Sequence, residues 1–240
     1  MNPLISIVVP VYNEARTVAD VIQRLIAIDL PAPREILVVN DGSTDGTREV
    51  LDGLAARPEL RIIHAEKNGG KGSAIRTGFG LATGTIVAIQ DADLELDPAQ
   101  IAELVKPILD GRSRVVYGSR FLAGRPDAPW LSIFANQVLT GVTNVLFGGR
   151  ITDMETCYKI MEREVALSLN LESNRFDIEP EITAKLLLAG YKIVERPVSF
   201  WPRNRAEGKK IRWRDGVHAI GRLARHRLSP PNGIRASEAG

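Results

Sequence analysis

Apolar and polar positions along the chain fall into repeating blocks. Residues 4–9 are an apolar run broken only by Ser6 and closed by Pro10, which predicts a buried strand. Residues 15–28 then repeat Val18, Val21, Ile22, Leu25 and Ile26 at helical spacing. The two together predict a βα unit. Pro31 and Pro33 end the helix, residues 35–40 predict a second strand, and 47–56 a second helix. Residues 60–64 predict a third strand, 73–82 a third helix, and Ile86-Val87-Ala88-Ile89 a fourth strand. Four strands alternating with three helices give an α/β fold, a doubly wound, mostly parallel sheet flanked by helices.

Past Asp97-Pro98, the spacing predicts a helix over 99–109 and a strand over 114–118. From Ser119 the pattern changes. Residues 120–130 read as a loop rich in Gly, Pro and Arg, and 131–146 as a helix with little charge. Further helices are predicted over 162–168 and 179–189, and a late strand over 191–196. Residues 202–210 form a strongly basic loop, and 211–227 a helix with Trp213, Val217, Ile220 and Leu223 on one face and arginines around it. Packing of that face, arginines resting on anionic lipid headgroups, and nucleic acid are three readings of the helix, nucleic acid being the weakest. One domain is expected over 1–228, with a disordered tail over 229–240. There is no internal repeat.

Composition narrows the function. A chain of 240 residues that is 44% hydrophobic can bury a good core. Its 31 basic and 29 acidic residues nearly cancel, so no general case for nucleic acid arises from charge. The single Cys157 rules out an intramolecular disulfide, and the opening residues lack the basic and apolar regions of a signal peptide. Both suit a reducing, cytoplasmic compartment. The best candidate for a membrane span, residues 138–147, falls short of the roughly 18 needed and is interrupted by Thr140, Thr143 and Asn144. The expectation is a protein that lies on a membrane surface without a transmembrane span.

Candidate chemistry concentrates where the fourth strand ends. Asp91, Asp93 and Glu95 stand at alternate positions just past it. In an open parallel sheet that end opens onto a crevice where ligands bind. Carboxylates gathered there repel one another unless a cation joins them, and hard oxygen ligands suit Mg²⁺ or Mn²⁺ shared with substrate phosphates. No Gly-x-Gly-x-x-Gly follows the first strand, no phosphate-loop Gly-Lys-Ser/Thr is present, and one Cys with three scattered His makes no zinc set. What remains is an acidic metal site beside two glycine-rich turns, Asp41-Gly42-Ser43-Thr44-Asp45-Gly46 and Asn68-Gly69-Gly70-Lys71-Gly72, at one sheet edge. Such an edge can hold a nucleotide whose diphosphate the metal bridges.

Those two turns, with Val8-Val9-Pro10-Val11-Tyr12-Asn13-Glu14 before them and Asp91-Ala92-Asp93 after, resemble the successive motifs of inverting family 2 glycosyltransferases in order and spacing. Tyr117-Gly118-Ser119-Arg120, Thr152-Asp153-Met154-Glu155-Thr156-Cys157-Tyr158-Lys159 and Val194-Glu195-Arg196-Pro197-Val198 are similar to the dolichol-phosphate mannosyltransferase and polyprenyl-phosphate glycosyltransferase branch. The similarity implies a glycosyltransferase A-type, Rossmann-like fold, with a donor half over about 1–118 and an acceptor half over about 119–228. It implies transfer of a sugar, mannose or glucose, from a GDP- or UDP-sugar to dolichyl or polyprenyl phosphate at the cytoplasmic membrane face, with a separate membrane anchor as a further partner.

Residue by residue, the resemblance places Pro10, Tyr12, Glu14 and Asp41 around the base and ribose, with Lys71 also on the donor side. It places Asp91 near the ribose or diphosphate, Asp93 on the metal, and Glu95, where relatives often carry Gln, as a further metal contact. Arg120 faces the acceptor phosphate, and Arg203, Lys209 and Lys210 close over the diphosphate and acceptor. Two positions depart from the branch. Gly208-Lys209-Lys210 replaces a Ser-Lys pair, and a second acceptor arginine is absent, leaving Arg125 to stand in. An acceptor phosphate is already anionic and needs no strong base, whereas an acceptor hydroxyl would need one, for which Asp153 and Glu155 are the candidates. The alternatives are transfer to a soluble small molecule and a non-catalytic module that binds nucleotide sugars.

Overall fold

The computed structural model describes residues 3–203, 221, 223 and 226–228. Seven strands form one sheet: β1 (Ile5–Val11), β2 (Arg34–Asn40), β3 (Leu60–His64), β4 (Ile86–Ile89), β5 (Val115–Ser119), β6 (Lys159–Glu162) and β7 (Ile193–Pro197). Their order is β3-β2-β1-β4-β6-β5-β7, and every pairing is parallel except those of β6. The helices are α1 (Val18–Ala27), α2 (Thr47–Asp52), α3 (Lys71–Leu81), α4 (Ile101–Leu109), α5 (Trp130–Phe147), α6 (Arg163–Ser168) and α7 (Ile178–Leu188).

The central strands β1, β4 and β5 are largely apolar because both faces are covered. Ile5, Ile7 and Val9 of β1 pack with Ile36 of β2, Ala88 of β4 and Val21 of α1 on one face. Val8, Leu37 and Val87 pack with Ile75 and Phe79 of α3 and Ile182 of α7 on the other. Strand order reverses between β1 and β4, so a crevice opens beyond the carboxyl ends of these two strands.

Three sequence expectations change. The first strand is not closed by Pro10 but runs through it to Val11. Val8 accepts from the Gln90 N–H and Val11 from the Asp41 N–H, so even-numbered β1 residues face β4 and odd-numbered ones β2. Pairing with β4 ends at Val8, so the missing Pro10 N–H removes no ladder bond. Second, β6 is an additional strand, unexpected because its Lys159 reads as polar although its side chain is fully buried. Because β6 is antiparallel, the residues before it arrive at the carboxyl end of β4. There the Tyr158 hydroxyl sits 2.7 Å from Gln90 Oε1 and from the Asp97 carbonyl.

Third, the helix expected over 131–146 spans Trp130–Phe147, 18 residues without a charge. By length and composition it is apolar enough to cross a membrane, contrary to the expectation that no segment approaches a span. Elsewhere, the helix expected over 99–109 opens with a 3₁₀ turn at Pro98–Gln100, where the Asp97 side chain accepts from the Ala99 N–H at 3.1 Å. Most of 211–227 and the tail lie outside the described residues, as do Trp213, Val217 and Ile220. Leu223 is buried with Leu139, Ile151, Met154 and Ala184.

α3 packs on β1 through Gly78, where a Cβ would stand 2.3 Å from Val8 Cγ1, while one at Gly80 would meet nothing within 4 Å. Gly78→Ala should therefore destabilise the fold by about 1–3 kcal/mol by overpacking, and Gly80→Ala should stabilise it by about 0.5–1 kcal/mol. Chemical denaturation of both variants checks this; equal effects would contradict the packing.

Candidate active site

The first wall of the site is built where the β1 and β2 ends tie their turns together. The Asn13 N–H donates to Ser43 Oγ at 2.9 Å, the Glu14 N–H to Thr47 Oγ1 at 2.9 Å, and the Thr44 N–H to Asn13 Oδ1 at 2.8 Å. Asp41, at the end of β2, accepts from the Gly69 and Gly70 N–H groups at 2.8 and 2.7 Å, one on each carboxylate oxygen. Gly42 has φ +66°, and a Cβ there would lie 2.6 Å from the backbone of Lys67 and Asn68. The two glycine turns thus form one clamp, with Asp41 as its crosslink.

The clamp sets the start of α3 against β4. Lys71 Nζ lies 2.9 Å from Asp91 and 2.9 Å from Glu179, and Glu179 continues to Lys159 Nζ at 2.5 Å. Burial pushes the Glu179 carboxyl up, but Lys159 and Lys71 more than offset this and hold it below its ordinary value. Burial likewise lowers Lys71, yet Asp91 and Glu179 keep its ammonium well above the usual lysine range.

The next carboxylates answer to Arg203. Its guanidinium reaches Glu14 at 2.9 and 3.1 Å and Asp93 at 3.2 Å, while its N–H donates to Glu95 Oε1 at 2.8 Å. Burial, then the charges of Asp91 and Glu95, push the Asp93 carboxyl up to about 7 against the pull of Arg203. Among the described residues, no three His, Cys, Asp or Glu side chains converge as a metal cage. Asp91, Asp93 and Glu95 all line the site, but Asp91 answers to Lys71 while Asp93 and Glu95 share Arg203.

At the far end, Arg120 follows β5 and is held bidentately by Asp153 at 2.7 and 2.7 Å, with its own N–H donating to Asp153 at 3.0 Å. Asn136 of α5 donates to the same carboxylate at 2.8 Å. Burial raises Asp153, but the Arg120 charge and hydrogen bonds win and hold it below the usual range. Of the two candidate bases, Asp153 is therefore committed to Arg120. Glu155 differs: its Oε1 is buried with no hydrogen-bond partner among the described residues. Burial, then Glu179, raise it to about 7 against Lys159 and Arg120.

Pro10, Tyr12, Glu14, Asp41 and Lys71 line one cavity of about 730 Å³ together with Asp91, Asp93, Glu95, Arg120 and Arg203. These expected site residues are thus brought together, whereas the candidate base Asp153 does not line the cavity. Lys209 and Lys210 lie outside the described residues. Arg125, the stand-in for the second acceptor arginine, is exposed and does not line the cavity. Arg175, Phe176, Glu179 and Phe200 line it and were missed by sequence reasoning. Of these, only Glu179 left a trace, as one of several charges along an otherwise apolar helix.

Residues 6–168 match the family model described as Glycosyl transferase family 2. The chain belongs to that family. This family 2 glycosyltransferase is 30% identical over 207 residues to glycosyltransferase AglD of Haloferax volcanii, covering 83% of this chain and 33% of AglD. It is 30% identical over 213 residues to dolichol-phosphate mannosyltransferase of Pyrococcus furiosus, covering 85% of this chain and 58% of that protein. The chain therefore spans a third to somewhat over half of these two relatives' length. A crystal structure of glucosyl-3-phosphoglycerate synthase from Mycobacterium tuberculosis, in complex with Mn²⁺, UDP and phosphoglyceric acid, superposes with a TM-score of 0.73 at 20% identity, covering 96% of this chain and 80% of that one. The glycosyltransferase A-type fold expected from the motifs is thereby matched.

Because the Glu155 carboxyl is raised from 4.5 to about 7, the native state holds its proton more tightly than the unfolded chain between those values. Stability from this group is full at low pH and falls as pH rises through about 7. Glu155→Gln should flatten the decline of Tm between mildly acidic and mildly alkaline buffer, read by scanning calorimetry. Parallel curves for variant and wild type would refute the assignment.

Proposed function

We propose that this glycosyltransferase moves a hexosyl group, mannose or glucose, from a nucleotide sugar to polyprenyl phosphate at the cytoplasmic membrane face, with inversion at the anomeric carbon. The observation that carries this reading is a single cavity lined by Asp41, Asn68 and Gly70 of the glycine-turn clamp, by Asp93 and by Arg120. The similarity to a dolichol-phosphate mannosyltransferase supports the acceptor class.

Asp93 fits a divalent cation: it is a hard oxygen donor whose charge is not fully neutralised by its neighbours. Mg²⁺ is commonly held by one or two carboxylates plus substrate phosphates, so a three-ligand cage is not required. Asp93, with Glu95 and Asp91 beside it, would hold Mg²⁺ or Mn²⁺, which when bound supplies neutralisation of charge on the departing nucleoside diphosphate.

The chain's own groups do the rest. Tyr12, Glu14 and Pro10 border the nucleotide, and Lys71 holds Asp91 in place. Arg203 already spans Glu14 and Asp93, so its guanidinium stands where the donor diphosphate must arrive. Arg120 orients the acceptor phosphate, its fork fixed by Asp153. A phosphate oxygen attacks the anomeric carbon while the bond to the nucleoside diphosphate breaks, and no proton need be removed. The two guanidinium groups offset repulsion between two anionic substrates, a proximity and electrostatic role.

Asp93→Ala should abolish transfer while the protein keeps its fold; near-normal turnover would contradict the role. A thermal-shift screen of GDP-, UDP- and CDP-sugars with Mg²⁺ or Mn²⁺ should identify one donor by a raised Tm. Incubation of that donor with polyprenyl phosphate should then give radiolabelled lipid. Label passing only to soluble acceptors would move the assignment to a small-molecule transferase, and binding without transfer or hydrolysis would make the chain a nucleotide-sugar-binding module.

A further inference from the structure

We propose that the outer face of α5 rests on the lipid leaflet that carries the acceptor, an inference that builds on the polyprenyl-phosphate reading above. An ordinary surface helix exposes a polar stripe, whereas α5 carries apolar residues on its outer face as well as on the inner one, where Ile133 and Leu139 are buried. Trp130, Leu131, Phe134, Val138 and Val145 are all exposed, from 41% at Val138 to 84% at Val145. At helical spacing Trp130, Phe134, Val138, Gly141 and Val145 fall within an arc of about 80°.

The inner face carries the polar groups. Asn136 donates to Asp153 at 2.8 Å, and Thr140 Oγ1 donates to Asn136 Oδ1 at 3.0 Å and accepts from the Met154 N–H at 3.1 Å. Asn144 exchanges bonds with the Ile151 backbone at 2.8 and 3.1 Å. Spanning a bilayer would strip these partners away, so α5 lies flat on its domain and presents its outer face to what covers it.

Three features identify that cover as a leaflet. α5 carries no charge, and its outermost aromatic residue, Trp130, stands at the helix end, a placement suited to a membrane–water interface. Exposed Arg125 and Arg150 bracket the helix, where anionic headgroups would meet them. The inner face also joins the site: Asn136 and Arg120 share the Asp153 carboxylate. A phosphate held at Arg120 is therefore one helix thickness, about 10 Å, from the apolar stripe, so a lipid tail attached to it has a dry surface to follow.

The test is the variant Phe134→Ser/Val138→Ser/Val145→Ser, with Val145→Ser alone as a second variant remote from the site. Flotation with vesicles of phosphatidylcholine and phosphatidylglycerol should show about tenfold weaker binding for the triple variant at unchanged Tm. Its KM should rise about tenfold for undecaprenyl phosphate in those vesicles while kinetics with water-soluble geranyl phosphate stay at wild-type values; Val145→Ser should show smaller changes in the same direction. Unchanged vesicle binding, equal losses with both acceptors, or a wild-type dimer that the substitutions dissociate would each overturn the proposal. Wild-type vesicle binding lost in the variants, with no transfer by any form to either prenyl phosphate, would uphold the leaflet contact and sink the acceptor reading instead.

Discussion

Carboxylates outnumber cations around the cavity, and the arrangement of the site follows from keeping those negative charges apart. Several of these acids are tied to cations from other elements. Lys71 of α3 joins Asp91 after β4 to Glu179 of α7, and Lys159 of β6 shares that glutamate. Arg120 after β5 takes Asp153, and Arg203 takes Glu14 and Asp93. Buried pairs of this kind give little net stability against desolvation, but removing one partner leaves a costly orphan charge. Their effect is to fix where β4, β6, α3 and α7 stand relative to one another. Two carboxyls, Asp93 and Glu155, are left with protons held to about 7. Among the described residues, Glu155 has no ion-pair partner and Asp93 has only Arg203, which Glu14 shares.

The antiparallel β6 makes the pairing possible. A parallel strand between β4 and β5 would send the segment before it to the opposite sheet edge. Running backwards, β6 delivers residues 153–158 to the carboxyl ends of β4 and β5, so that Asp153 meets Arg120 and Glu155 enters the cavity. The site is thus assembled from both halves of the sheet, with the two glycine turns entering on parallel strands and residues 153–158 on the reversed one.

Much of this was legible in the sequence. β1 to β4 announce themselves by apolar runs, and the residues at their carboxyl ends, from Tyr12 to Glu95, meet in one cavity. The rest depends on long-range pairing that local pattern does not encode. Lys159 disguised β6 because a lysine is ordinarily a surface residue, and its burial is made tolerable by Glu179, 20 positions away, together with the Met154 and Thr156 carbonyls. Asp41 read as a ligand contact, while its two oxygens in fact take the Gly69 and Gly70 amides, a bond visible only when two turns 28 positions apart are in contact. The polarity of α5 was equally hidden, since composition shows an uncharged helix but not which side faces the domain.

Asp153 and Glu155 were equivalent as candidate bases on sequence, and the structure separates them by what each already holds. A general base needs a free oxygen within reach of the proton it removes. Asp153 has both oxygens on Arg120 and one of them on Asn136 as well, so taking up a proton would break the fork that aims the guanidinium. Its chemistry is to keep Arg120 aligned, as an anionic acceptor requires. Glu155 keeps an unpartnered oxygen but sits between Glu179, which favours its neutral form, and Lys159 and Arg120, which favour the charged one. A carboxyl held near 7 is a stronger base than an ordinary glutamate, so Glu155 rather than Asp153 has the properties of a general base. The fixed guanidinium of Arg120 suits an acceptor that arrives already ionised, while Glu155 is the base available to an acceptor that does not.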